Sequence, residues 1–471
     1  MDHHLGMKLS RKTFLQSTSI LIILILLSGI LTRIIPAGSY ERTTKNGLTF
    51  IKPGTFHFLK GSPPFPIYRW FTAPFELFTS KDALTVIVII AFILIIGGSF
   101  AIFDGTRVFE KIIDLLVLRF SHKEKWIIAI FSLFFMLLGA IFGILEEVIP
   151  LIPIMVLVAK RLGWDELMGL GLSLLSVGFG FSAALFNPFT IGIAQSLAGV
   201  PVFSGILFRI GIFIVTYGVL LLFLFRHHRK LKQSSIHRIA ASEEFAAASE
   251  YDLGPLSIKP TIIGFILLLI AIMLLPVLQL DDYSMPIIAL GFFFTALATG
   301  ISSKVPLSRM MHYFIKGLLN LAPSSLLIIL ALSVKHIAES AHMMDTLLYY
   351  ISVHVKGLSP IAGGITMYLI VFVLQFFIPS ATAKAMLVMP ILTPIGDILG
   401  VTRQSVVLAF NFGDGFSHLL YPTNPALLIA LSLTTVSFSK WLKWTIGIQI
   451  ILFVITLLFL ILAIVFKYGP I

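Results

Sequence analysis

The chain contains no cysteine. That absence removes a disulfide framework, a thiolate metal site and a cysteine nucleophile together. Charge is nearly as scarce: 12% of the 471 residues are Asp, Glu, Lys or Arg, where a soluble domain carries about 25%. Acids are the rarer sign, 22 against 34 Lys and Arg. The net charge of +12 would point a soluble protein toward nucleic acid. Here the basic residues are better read as fixing topology from the cytoplasmic side, and no nucleic-acid partner is expected. Hydrolase signatures are missing too. There is no HExxH and no GxSxG, and the candidate Gly-Asp motif at 413–414 lacks a convincing intramembrane partner acid, so an intramembrane protease is disfavoured and no enzyme or cofactor is expected.

What is abundant is hydrocarbon. Hydrophobic residues make up 58% of the chain, with a mean hydropathy of +1.01. Apolar runs of about 18–25 residues are long enough to cross a bilayer as helices. The expected class is an all-α polytopic membrane protein with the lipid bilayer as its solvent. MKLSRK and the apolar run 17–35 look like a signal peptide at first. The run is longer than a signal core and many spans follow, so it reads as an uncleaved first helix.

The basic loop RHHRKLKQSSIHR (226–238), continuing to about Pro255, is placed in the cytoplasm and orients its neighbours. His227 and His228 within it read as topological rather than metal-binding. SHKEK (121–125) and KRLG (160–163) then belong on the same face, so the apolar stretch between them must enter and leave from one side. It reads as a re-entrant hairpin with its tip near 143–147, where GILEEVIPLIP buries Glu146 and Glu147. Irregular backbone at that depth needs protein or water around it. Before it, GTRVFEKIIDLLVLRF reads as an amphipathic helix on the inner surface. After it, Asn187-Pro188 falls mid-membrane, and proline there predicts a broken helix.

The second half replays this plan. GFSAALFNP (180–188) aligns with GFSHLLYPT (415–423), and Phe203-Ser204 with Phe438-Ser439, about 235 residues on. Pro153-Ile154 and Leu162-Gly163 match Pro390-Ile391 and Leu399-Gly400 at about 237, which sets Lys384 opposite Glu147. HIAESAHMMDTLLYY reads as the second amphipathic stretch, ahead of a hairpin with its tip at IPSATAK and a helix broken at HLLYPTNP. Counting crossings makes the repeats inverted, with about nine transmembrane helices, two re-entrant hairpins and two broken helices. The N-terminus then lies inside and the C-terminus outside. The units are 1–83 (first helix and external loop), 84–225 (repeat 1, hairpin 126–161, broken helix 166–199), 226–257 (basic loop), 258–311 (scaffold helices) and 312–471 (repeat 2, hairpin 361–398, broken helix 403–434). Inverted repeats with broken helices at the midplane mark secondary transporters.

FGILEEVIPLIPI, FNPFTIGIAQSLAGVPVFSG, PSATAKAMLVMPILTPIGDILGVTRQSVVLAFNFGDGF and YPTNPALL resemble the YfcC family, within the DcuC-like (C4-dicarboxylate anaerobic carrier) group of the ion transporter superfamily. The resemblance covers nearly the whole chain. It implies a nine-helix, two-hairpin fold in a bacterial inner membrane, often dimeric, with a small-molecule substrate. Basic amino acids are the implied substrate, by arginine/ornithine (ArcD-type) exchange; wider relatives carry dicarboxylates, coupled to Na+ or H+. Two departures stand out. Lys384 replaces a neutral residue in the second tip, and Ser417-His418 replaces Thr-Asn after GDGF.

Intramembrane charges usually mark function. Glu146 and Glu147 point about 100° apart on a helix, so one is expected to meet the cationic group of the substrate and the other a backbone donor or cation. Lys384 could stand in for a coupling sodium, pair with Glu147, or attract a carboxylate; otherwise it would snorkel to the interface. Asp414, in FGDGF, is expected to be a cation or substrate ligand rather than a merely satisfied buried acid. Asn187, Thr190, Ser380, Thr382, Ser417, His418 and Asn424 supply polar groups around the two breaks, where each alone could be interhelical glue. His418 could also carry a proton. No metal site is expected beyond a transported or coupling cation.

Overall fold

The computed structural model describes residues 11–45, 48–59, 64–109, 111–112, 123–233, 258–278, 280, 283–354 and 357–469. Most of the first amphipathic stretch and residues 234–257 of the basic loop lie outside them. The helices are α1 Arg11–Ile34, α2 Tyr68–Glu76, α3 Ala83–Thr106, α4 Glu124–Leu137, α5 Ile152–Arg161, α6 Glu166–Leu170, α7 Ser176–Ser182, α8 Ile193–Ala198 and α9 Ile206–Gln233. The second half holds α10 Lys259–Val277, α11 Ser284–Ser302, α12 Leu307–Ser340, α13 Met343–His354, α14 Pro360–Leu374, α15 Ala381–Leu399, α16 Arg403–Gly415, α17 Pro425–Ser432 and α18 Phe438–Val465. Eight helices among the described residues are long and apolar enough to cross a membrane. The class is all-α and polytopic.

The loop after α1 adds what the sequence reading did not include: β1 (Gly38–Ser39) pairs with β4 (His57–Phe58), and β2 (Arg42–Lys45) with β3 (Leu48–Ile51), all antiparallel. Asp345 of α13 anchors this loop, taking the Tyr40 amide at 2.9 Å and the Arg42 guanidinium at 2.9 Å. The second amphipathic stretch is divided. HIAES completes the 34-residue α12, the chain turns at His342 with φ 52°, and only the remainder forms α13.

The apolar helices expected to form the two hairpins are present. α4 and α5 join through 143–148, and α14 and α15 through 375–380. The feet of the first meet the last turns of α9: His228 contacts Glu124 at 2.6 Å and His227 contacts Asp165 at 2.9 Å. These contacts give the two histidines structural work at the base of the hairpin. The feet of the second adjoin each other where Gly363 faces Leu399.

Each broken helix is held at its break by other elements. Leu185 and Phe186 donate their amides to the Ala140 carbonyl at 2.8 and 3.0 Å, using an acceptor that the π-turn 138–142 of the first hairpin leaves open. α4 and α7 approach backbone to backbone for this to happen. A Cβ on Gly180 would lie 1.8 Å from the Met136 carbonyl oxygen, and one on Gly139 2.2 Å from that of Val177. Gly180→Ala is therefore expected to force the hairpin off the broken helix, costing about 2–3 kcal/mol because backbone cannot yield as a side chain does. A lowered thermal midpoint in detergent is the readout, and an unchanged midpoint would contradict this packing.

Candidate functional site

The two breaks are built alike. Asn187 and Asn424 each stand just outside a proline-initiated half-helix with extended ψ, 112° and 116°. The Asn187 side-chain oxygen Oδ1 accepts from the Phe189 and Thr190 amides at 2.9 and 3.1 Å, and Oδ1 of Asn424 from Ala426 at 3.0 Å. Proline at the first helical position fits because its missing N–H would be an orphan there. The asparagines correspond at an offset of 237, so the alignment gains two residues inside the second break. Break carbonyls are met by the following helix in both halves. Arg209 of α9 donates to Leu185 at 3.0 Å, and the Trp441 indole of α18 to Leu419 at 2.9 Å.

The broken helices cross at Gly415, where a Cβ would meet the Ser182 Cα at 2.5 Å. Asn411 ties the crossing by donating to the Ser182 carbonyl at 2.6 Å. One turn further along α16, Asp414 is fully enclosed, 0% exposed, as is Lys384 from the second hairpin. The Lys384 ammonium lies 2.6 Å from Asp414 Oδ1 and also donates to the Gln375 side-chain oxygen. Lys384 therefore neither snorkels nor pairs with Glu147; Asp414 neutralises it.

Asn424 fixes the proton on His418. Its oxygen serves Ala426, so its amide nitrogen donates to His418 Nδ1 at 2.7 Å. The remaining His418 nitrogen, Nε2, faces Asp414 Oδ2 at 3.4 Å, outside normal hydrogen-bond reach for a well-aligned pair. Gln375, Lys384, Asp414, His418 and Asn424 thus form one buried polar chain.

The glutamates divide. Glu147 is held by the Leu145 amide at 3.2 Å and the Ser284 hydroxyl of α11 at 3.0 Å. Glu146 meets no cation among the described residues. Its side chain is half-buried. Gly143, at φ 68°, brings the first tip against Asn187.

Not every expected residue turns toward this centre. Ser417 bonds back to the Gly413 carbonyl of its own helix at 2.6 Å, and Ser380 is an exposed helix cap for Ala383. Thr190 is buried, with a hydroxyl that meets no partner, and Thr382 is half-buried. Sequence reasoning missed Gln375, Asn411, Ser284 and Arg209. Gln375 and Arg209 each interrupt an apolar run, VFVLQFFI and GILFRIGIFI, which was signal enough. Arg209 is 2% exposed and donates to the carbonyls of Leu185, Phe203 and Ser204.

A family model described as "C4-dicarboxylate anaerobic carrier" (DcuC) matches residues 14–465. An Escherichia coli (strain K12) protein named "Putative basic amino acid antiporter YfcC" is 29% identical over 93% of this chain and 94% of its own. An uncharacterized Haemophilus influenzae protein is 28% identical over 76% and 71%. Among solved structures, the Alcanivorax borkumensis YdaH transporter and Neisseria gonorrhoeae MtrF each share 16% identity, with TM-scores of 0.42 and 0.44 over 97% and 96% of this chain and 100% and 96% of theirs. The chain belongs to the DcuC family of membrane transporters.

Proposed function

We propose that the protein is a secondary active transporter of the inner membrane that exchanges or imports basic amino acids by alternating access. The observation that carries this reading is the charge left over at the centre. Lys384 is matched by Asp414 and Arg209 by three carbonyls, while Glu146 has no cationic partner among the described residues. A centre with that balance suits an ammonium or guanidinium better than a dicarboxylate, which would need an unmatched cation. The name of the Escherichia coli relative agrees with this substrate class, and the family description favours the dicarboxylate rival.

Inverted repeats are part of the proposal. The start of the first broken helix meets the end of the second, where Glu166 binds Thr435 at 2.8 Å. The start of the second meets the end of the first, where Arg403 binds the Ala198 carbonyl at 3.0 Å. Two antiparallel units with a shared centre are what alternating access by rocking requires.

Counterflow in proteoliposomes tests the reading. Labelled arginine should accumulate against internal unlabelled arginine, ornithine or lysine, with mutual competition. Competition by dicarboxylates alone would reverse the substrate assignment, and conduction without counterflow would make the protein a channel.

A further inference from the structure

A buried ion pair is a poor stability device, since an apolar pair of the same volume often does as well. Lys384 is also badly placed for its charge, in the first turn of α15, where the helix dipole is positive. Its ammonium is nevertheless enclosed by oxygens from two other elements: Gln375, at the end of α14, and Asp414 of α16. Two more buried acceptors of α16, one turn apart, complete no hydrogen bond among the described residues: Asn411 Oδ1, and Asp414 Oδ2, which His418 Nε2 approaches only to 3.4 Å. An amide oxygen and a carboxylate gathered from separate elements are the donor set of a hard monovalent cation.

We infer that Lys384 is a resident cation. Its tethered ammonium occupies an oxygen cage between the second hairpin and the second broken helix, so that no soluble metal ion is needed there. The proposal deepens the transporter reading by assigning its ion dependence: the second hairpin closes on α16 around a charge the chain itself supplies, and transport is independent of Na+. It also accounts for the opposite charges at matched positions of the two tips, Glu147 held by a hydroxyl and an amide, Lys384 by an acid and an amide oxygen.

The test compares full-length wild type with Lys384→Ala, which opens the cage and leaves its oxygens in place. Purified protein is melted in choline, sodium and n-propylammonium chloride, the last restoring the deleted arm. Wild type is expected to melt within about 1 °C in all three, because a site already filled gains nothing from added ligand. Lys384→Ala is expected to melt several degrees lower in choline and to regain most of that loss in sodium or n-propylammonium. Counterflow should follow the same pattern: wild type within about two-fold between sodium and choline, the variant down about ten-fold in choline and recovering with the added cation. A wild type stabilised or driven by sodium overturns the inference, as does a folded Lys384→Ala indifferent to every cation. Should Lys384→Ala fail to fold, the wild-type comparison decides alone. The melting arm needs no substrate, so an error in the basic amino acid assignment would show only as missing arginine counterflow.

Discussion

Asp414→Asn is expected to lower the thermal midpoint of the purified transporter by roughly 5–10 °C, the equivalent of about 3–5 kcal/mol. The size follows from enclosure. Asp414 and Lys384 are both 0% exposed, and their contact at 2.6 Å is the one charge match the ammonium has, since Gln375 offers only a neutral oxygen. Removing the carboxylate leaves a charge in surroundings that cannot solvate it, which is far worse than removing both charges. Lys384→Met should therefore destabilise by a similar amount. The double variant Lys384→Met/Asp414→Leu should recover most of the loss, because two apolar side chains fill the same space without an unmet charge. Thermal melts of the four proteins in one detergent check the cycle. An Asp414→Asn protein as stable as wild type, or strict additivity of the two single effects, would mean that the pair is not coupled as the geometry requires.

Much of this arrangement was legible in the sequence, and the reasons differ by element. The first hairpin was expected from basic residues at both feet of one apolar run badly placed for a crossing, and the second from the internal repeat. The breaks follow from Asn187-Pro188 and Asn424-Pro425, because proline removes a donor wherever it stands. The second amphipathic stretch was read too far upstream, because the 34 residues of α12 overrun the apolar core and take up HIAES. Side-chain partners were the illegible part. Whether Lys384 met Glu147, a carboxylate ligand or Asp414 depended on the rotation of α15 against α16, and several pairings were compatible with the repeat. Ser417 shows the same limit, since a hydroxyl one turn from a helix carbonyl bonds back into its own helix unless something stronger calls it away.

Glu146→Gln is expected to weaken a cationic substrate by about 30- to 100-fold in apparent affinity, the value of one charge-assisted hydrogen bond lost from an enclosed site. Glu147→Gln should cost only a few-fold, because an amide oxygen can still accept from Leu145 or Ser284. The asymmetry is the informative part. The two carboxylates are adjacent in sequence, equally half-buried and lie in the same tip, so composition and depth alone would give them equal effects. They differ in engagement: Glu147 is already bridged to α11, and Glu146 meets no cation among the described residues that would compete with an arriving ammonium or guanidinium. Counterflow with arginine across a range of concentrations separates the two variants. An affinity loss at Glu147 with none at Glu146 would exchange their roles. Equal activity of both variants and wild type would remove the glutamates from substrate binding altogether. Glu146→Asp supplies the control for charge against reach: it retains the carboxylate on a side chain shorter by about 1.5 Å, and partial recovery relative to Gln would show that the charge itself is what the substrate meets.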